Sequence, residues 1–139
     1  LQYTKSGVGP VAIVGRGEAA VGLVFSHDCV AGRLQGLPLK VTFPSEGTGY
    51  EIGGVALIKG AKNPEAAKSY IDFALSREAQ NLGPTVASFQ VLTNPKTKID
   101  PRMVKLGGIS IVAYDFEKAA AAKKALTAKF DATIAIAPK

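Results

Sequence analysis

An α/β fold is what this sequence predicts, and three observations carry the expectation. An apolar run, Val21 to Phe25, passes directly into the polar trio Ser26, His27 and Asp28, which reads as a buried strand presenting side chains at its C-terminal end. A helical stretch, Asp28 to Leu34, then leads to a second apolar run, Leu39 to Phe43, in the alternation of βαβ units. Strong helix punctuation recurs further along the chain. In open α/β sheets ligands settle in the crevice beyond the carboxyl ends of the strands, so the trio at 26–28 is placed where recognition chemistry sits.

The elements follow in order. Ser6 is the expected N-cap of a first helix with Pro10 in its first turn, and the spacing of Val8, Val11, Ala12 and Val14 is helical until Gly17. The predicted strand Val21–Phe25, short helix 28–34 and strand Leu39–Phe43 complete an α/β first part. Pro44-Ser-Glu-Gly-Thr-Gly49 is turn chemistry and the best boundary, delivering the chain into Ile52 to Lys59. Asn63-Pro64-Glu65 starts a helix whose apolar face includes Ala66, Ala67, Tyr70, Ile71, Phe73, Ala74 and Leu75, with Tyr70 expected in its core. Ser76 opens a second short helix that ends at Gly83-Pro84. Residues 85 to 100 are rich in loop residues, Asp100-Pro101 starts a further short helix, and Asp115 to Asp131 is an alanine-rich amphipathic helix carrying Lys118, Lys123, Lys124 and Lys129. There is no internal repeat.

Composition narrows the function. With 139 residues, 47% hydrophobic and 20% charged, the chain can bury the core of one ordinary domain. No apolar run approaches the roughly 20 residues of a membrane-spanning helix, and the N-terminus lacks the order of a signal peptide, so the expectation is a soluble, mature segment. The net charge of +6 comes from 17 scattered basic residues, with Lys123-Lys124 the one adjacent pair and no interleaved aromatics. That pattern argues against nucleic acid and for a general attraction to anionic solutes. The single Cys29 has no partner for an internal disulfide or a metal motif and reads as a small buried apolar residue.

Several segments carry a family resemblance. Tyr3-Thr-Lys-Ser-Gly7, Arg16-Gly-Glu18, Val21 through Asp28, Glu46-Gly-Thr-Gly-Tyr-Glu-Ile-Gly53, Gly60 through Lys68, Phe73 through Gln80 and Val91-Leu-Thr-Asn-Pro95 occur in an order that resembles periplasmic solute-binding proteins of ABC importers, in the ferric-ion and sugar-phosphate branch. The resemblance implies the C-terminal half of a two-lobed type II periplasmic binding protein, with residues 1–49 in the second lobe and 50–139 supplying the hinge crossing and closing elements of the first. It implies a periplasmic protein that meets an ABC importer's membrane permease. Because helices of such a half would lack the strands they cover, the expectation is a truncated product, or a homo-oligomer or domain-swapped dimer in which another copy covers Val21–Phe25 and Ile52–Ile58.

The candidate ligand-binding residues are Thr4, Ser6, Gly7, His27, Asp28, Thr48 and Glu51. A neutral imidazole donates and accepts and a carboxylate accepts from paired hydroxyls, so His27 and Asp28 suit a polyhydroxylated or amine-bearing solute. The plain alternative is Asp28 capping the next helix beside an exposed His27. Thr4, Ser6 and the amides of Gly7 and Val8 would stand at a helix N-terminus, which favours an anion such as phosphate; Ser6 as a cap without a ligand reads as well. Glu51 resembles the acid with which sugar-phosphate members hold ligand hydroxyls, or is a solvent-facing strand residue. Tyr50 could stack on a sugar or pack the hinge. Iron-binding members carry two adjacent tyrosines where this chain has His27 and Asp28, and that departure moves the reading from ferric iron towards a sugar phosphate or phosphonate. No cofactor or resident metal is expected. With one histidine, one cysteine and no Gly-x-Ser-x-Gly, His-Glu-x-x-His or Walker signature, catalysis has little support; a small hydrolase using His27 as base with Asp28 or Glu51 is the rival from another class.

Overall fold

The computed structural model describes residues 3–135. Its helices are α1 (Gly9–Gly15), α2 (Ser26–Leu34), α3 (Pro64–Ala74), α4 (Arg77–Gln80) and α5 (Phe116–Thr133), with a 3-10 turn at Gly83–Val86 between α4 and α5. Most starts obey local chemistry. Proline occupies the first turn of both α1 and α3, where its missing N–H costs nothing. Ser76 Oγ accepts from the Ala79 N–H at 3.1 Å to cap α4, and Asp115 Oδ1 accepts from the Lys118 N–H at 3.0 Å to cap α5. In α2, Asp28 lies in the first turn and Arg33 in the last, each complementing the helix dipole.

The core is small. Val30 of α2, Phe89 and Met103 form a buried cluster on which Ala31, Leu92 and Val104 pack, and Val11 is buried where α1 lies against α2. The contact is close because Gly32 has no side chain: a Cβ there would stand 2.6 Å from Val11 Cγ1. Arg102 lies 5.0 Å above the Phe89 ring and chelates Asp100, closing the cluster on one side. The 75–98 region is held by polar side chains. Gln80 Oε1 accepts from the Thr93 and Asn94 N–H groups, Asn94 Nδ2 donates to the Leu75 carbonyl, and Asn81 Oδ1 accepts from the Lys98 N–H.

Where the sequence predicted strands, the described residues hold none. Their single β contact is a parallel bridge between Thr48 and Ile111, built from Thr48 N–H to Ser110 carbonyl at 2.9 Å and Val112 N–H to Thr48 carbonyl at 3.1 Å. Val21–Phe25, Leu39–Phe43 and 52–59 are neither helix nor strand. A strand is defined by its ladder, and among the described residues no neighbouring segment supplies one to these runs. Accordingly Val21 is 81% and Leu23 92% exposed, and every residue from 50 to 60 is exposed. The α/β expectation therefore holds for the helices alone.

Four local expectations also change. The N-cap of α1 is Val8, without a side-chain bond, because Ser6 sits two residues earlier in a turn whose carbonyl accepts from Gly9 N–H. Helix α2 begins at Ser26, so the trio opens the helix instead of preceding it. Asp100 starts a turn and not a helix, since its carboxylate binds the N–H and guanidinium of Arg102 two residues on. Helices α3 and α5 carry no buried residue, and Tyr70 is 63% exposed where a core position was expected; among the described residues the main helix neighbour of α3 is the four-residue α4.

Candidate functional site

His27 and Asp28 are brought together by the first turn of α2. The chain is extended at Phe25 (φ −66°, ψ 137°) and helical from Ser26, and this change of direction lets neighbouring side chains reach one side. His27 Nε2 stands 3.6 Å from Asp28 Oδ1, and the two side chains retain 27% and 18% of their exposure. At that distance the pair shares a polar patch without a direct hydrogen bond, leaving both groups free for a solute. No side chain caps α2; the Asp28 N–H already donates to the Phe25 carbonyl at 3.1 Å, so the donors left beside the pair are the Ser26 and His27 N–H groups. Phe25 stacks on the imidazole, with ring centroids 5.4 Å apart and planes 15° from parallel.

The other candidates sit in separate local structures. Thr4 Oγ1 donates to the Ser6 carbonyl at 2.7 Å, tying Thr4, Ser6 and Gly7 into the turn before α1, with Ser6 and Gly7 exposed. Helix α1 is only seven residues long, so its dipole offers an anion little. Thr48 is half-buried and fixed by the bridge to 110–112, whereas Glu51 is exposed and makes no ion pair among the described residues. Among those residues, no hydrogen bond or ion pair joins the three groups to one another.

Cys29 follows Asp28 and is half-buried, less enclosed than the sequence led one to expect. Burial first, and the Asp28 carboxylate second, push its thiol above the usual cysteine range, which keeps it protonated and a poor nucleophile. No group of three His, Cys, Asp or Glu side chains that could hold a metal ion occurs among the described residues.

Two surface depressions lie elsewhere. One of about 540 Å³ runs along α5 beside Lys123, Lys124 and Asp131, and one of about 250 Å³ lies at the end of α2 between Arg33 and Arg102. Neither includes a candidate residue. The first has a single helix as its only wall, which cannot enclose a solute.

Sequence reasoning missed two aromatic features. Phe25 was read as the end of a strand, although its position two residues before His27 was the available signal. Tyr50, Tyr114 and Phe116 pack edge to face with centroids 5.0 to 6.3 Å apart, and nothing in their spacing announced it.

Comparison with other proteins gives the chain its family. A profile for the family described as bacterial extracellular solute-binding protein matches residues 2–81. The chain belongs to that family, whose members serve ABC transporters and share the periplasmic binding protein fold. Its structure superposes with a TM-score of 0.86 and 42% identity on the periplasmic binding protein AfuA from Actinobacillus pleuropneumoniae, solved with exogenous fructose-6-phosphate bound; the match covers 98% of this chain and 44% of that one. It is also 43% identical over 132 residues to an uncharacterized protein of Haemophilus influenzae, covering 93% of this chain and 38% of that protein. The chain thus spans less than half the length of the relatives it matches. No described helix is long and apolar enough to cross a membrane.

Proposed function

We propose that this chain supplies part of a binding surface for a small anionic polar solute, a sugar phosphate such as fructose 6-phosphate, which a periplasmic binding protein delivers to the membrane permease of an ABC importer. The observation that carries the reading is the 42% identity and 0.86 TM-score to AfuA, whose structure holds fructose-6-phosphate. The chemistry of the chain supports it: His27, Asp28 and the uncapped start of α2 combine hydroxyl acceptors with donors on one turn. Thr4, Ser6, Gly7, Thr48 and Glu51 complete the proposed set. In this reading residues 1–49 belong to the second lobe, and 50–139 form the hinge crossing and part of the first. The apolar segments Val21–Phe25 and Ile52–Ile58 are covered by other polypeptide, either further parts of the fold or a second copy.

The proposed action is binding without turnover. A 3.6 Å separation gives His27 no hydrogen-bonded acid to orient it, and the Cys29 thiol is held protonated. Titration calorimetry on the full-length gene product with fructose 6-phosphate, a phosphonate and ferric citrate tests the reading. Saturable binding of the sugar phosphate, weakened at least tenfold (about 1.4 kcal/mol) by Asp28→Asn, is the expected result. Tight ferric binding with a phenolate charge-transfer band, or solute turnover abolished by His27→Ala, overturns it.

A further inference from the structure

We propose that Phe25 is a positioning residue of the ligand site, holding the His27 imidazole in the orientation that meets the solute. The proposal rests on the reading of His27 as a ligand contact and adds the group that aims it. Residues two apart share one face of an extended chain but point away from each other in a helix. Phe25 and His27 lie on either side of the switch between the two, with Phe25 extended and His27 in the first turn of α2. Only that switch places the phenyl ring over the imidazole, at 5.4 Å and 15°.

The stack is local and self-contained. Phe25 is 49% exposed, so its ring is no core anchor, while its carbonyl accepts from Asp28 N–H at 3.1 Å and ties the ring's own backbone to the turn it orients. An imidazole on a half-open turn otherwise samples several side-chain rotamers. With one face against Phe25, its plane is set and its Nε2 edge is directed towards Asp28 Oδ1. The two polar groups are thereby presented together before the solute arrives, which spares the ordering step on binding.

The test uses the full-length gene product with fructose 6-phosphate as probe. Phe25→Leu, which keeps apolar bulk but cannot stack, is expected to weaken binding about three- to tenfold, the scale of a lost aromatic pair. Phe25→Tyr retains wild-type affinity within about twofold. In a His27→Gln background, Phe25→Leu adds no further loss, because its effect runs through the imidazole. The His27 ring protons, assigned by their disappearance in His27→Gln, shift on Phe25→Leu and stay in place on Phe25→Tyr. Wild-type binding with losses that add in the double variant, or ring protons unmoved by Phe25→Leu, overturns the role of Phe25 alone. Failure of the wild type to bind any sugar phosphate overturns the proposed function and this role with it.

Discussion

Gly47 and Val112 meet where the Pro44–Gly49 turn passes the 110–112 segment, so closely that a Cβ on Gly47 would stand 2.9 Å from Val112 Cγ1. Gly47 has a φ of +121°, a conformation L side chains rarely adopt, and its neighbour Thr48 makes the parallel bridge to Ile111. A single glycine thus lets two segments more than sixty positions apart in sequence lie side by side, and it does so next to two candidate ligand residues, Thr48 and Glu51.

Gly47→Ala should therefore lower stability by about 1–3 kcal/mol, through backbone strain and the clash with Val112. Gly49→Ala, where a Cβ meets open space, should stay within about 0.5 kcal/mol of wild type. Urea unfolding of the two variants is the comparison, and equal midpoints would show that the junction is looser than described.

A second glycine reports on the α1–α2 contact. Alanine normally favours a helix interior over glycine by about 1 kcal/mol. At Gly32 the added Cβ would lie 2.6 Å from Val11 Cγ1 and 3.0 Å from Leu39 Cδ1, and overpacking of that kind costs about 1–3 kcal/mol. Gly32→Ala is expected to unfold at lower denaturant than wild type; a stabilised variant would mean that α1 can move away from α2 freely.

Asp100 gives a pH signature. Hydrogen bonds from the Arg102 guanidinium, reinforced by the Arg102 N–H, hold its carboxyl down to about 2. A carboxyl lowered on folding stabilises the folded form above its ordinary value near 4, and this contribution disappears as pH falls through about 2. Arg102→Gln removes the partner. The gap in unfolding midpoint between wild type and variant should be full above pH 4 and narrow towards pH 2, leaving the pH-independent loss of the Phe89 contact. A gap constant over that window would contradict the pairing.

The surface area predicts association. The chain exposes 11143 Å² at 14.4 kDa, whereas a self-sufficient folded monomer of that mass exposes about 6,800 Å². The excess is on the scale of an obligate interface, and it includes Val21, Leu23, Ile52 and Ile58. Light scattering of the 139-residue chain should report species heavier than one copy. A cooperatively unfolding monomer at 14.4 kDa would show that these segments are covered from within.

Helix starts were readable because they depend on residues within one turn: Pro64 opens α3, Ser76 caps α4 through Ala79 and Asp115 caps α5 through Lys118, although Asn63 stands at the N-cap of α3 without a side-chain bond. The family was readable for a related reason, since short segments in a fixed order are a property of the sequence itself. The candidate site was legible only in part. His27 and Asp28 were found through their place after an apolar run, but the stacking of Phe25 on His27 depended on α2 starting two residues earlier than expected. The aromatic group of Tyr50, Tyr114 and Phe116 joins positions too distant for any periodicity to connect.

Chain-local chemistry, then, settled where α3, α4 and α5 begin and which polar residues stand beside the end of an apolar run. Tertiary structure alone decided whether the apolar runs become strands, because a ladder needs a second segment at hydrogen-bonding distance and sequence pattern cannot state whether one arrives. Val21–Phe25 has the composition of a buried strand and lies open, while Thr48 and Ile111, with no strand signal of their own, form the one β bridge among the described residues. Packing decided the rest: Gly32 and Gly47 matter through side chains that meet them from elsewhere in the chain.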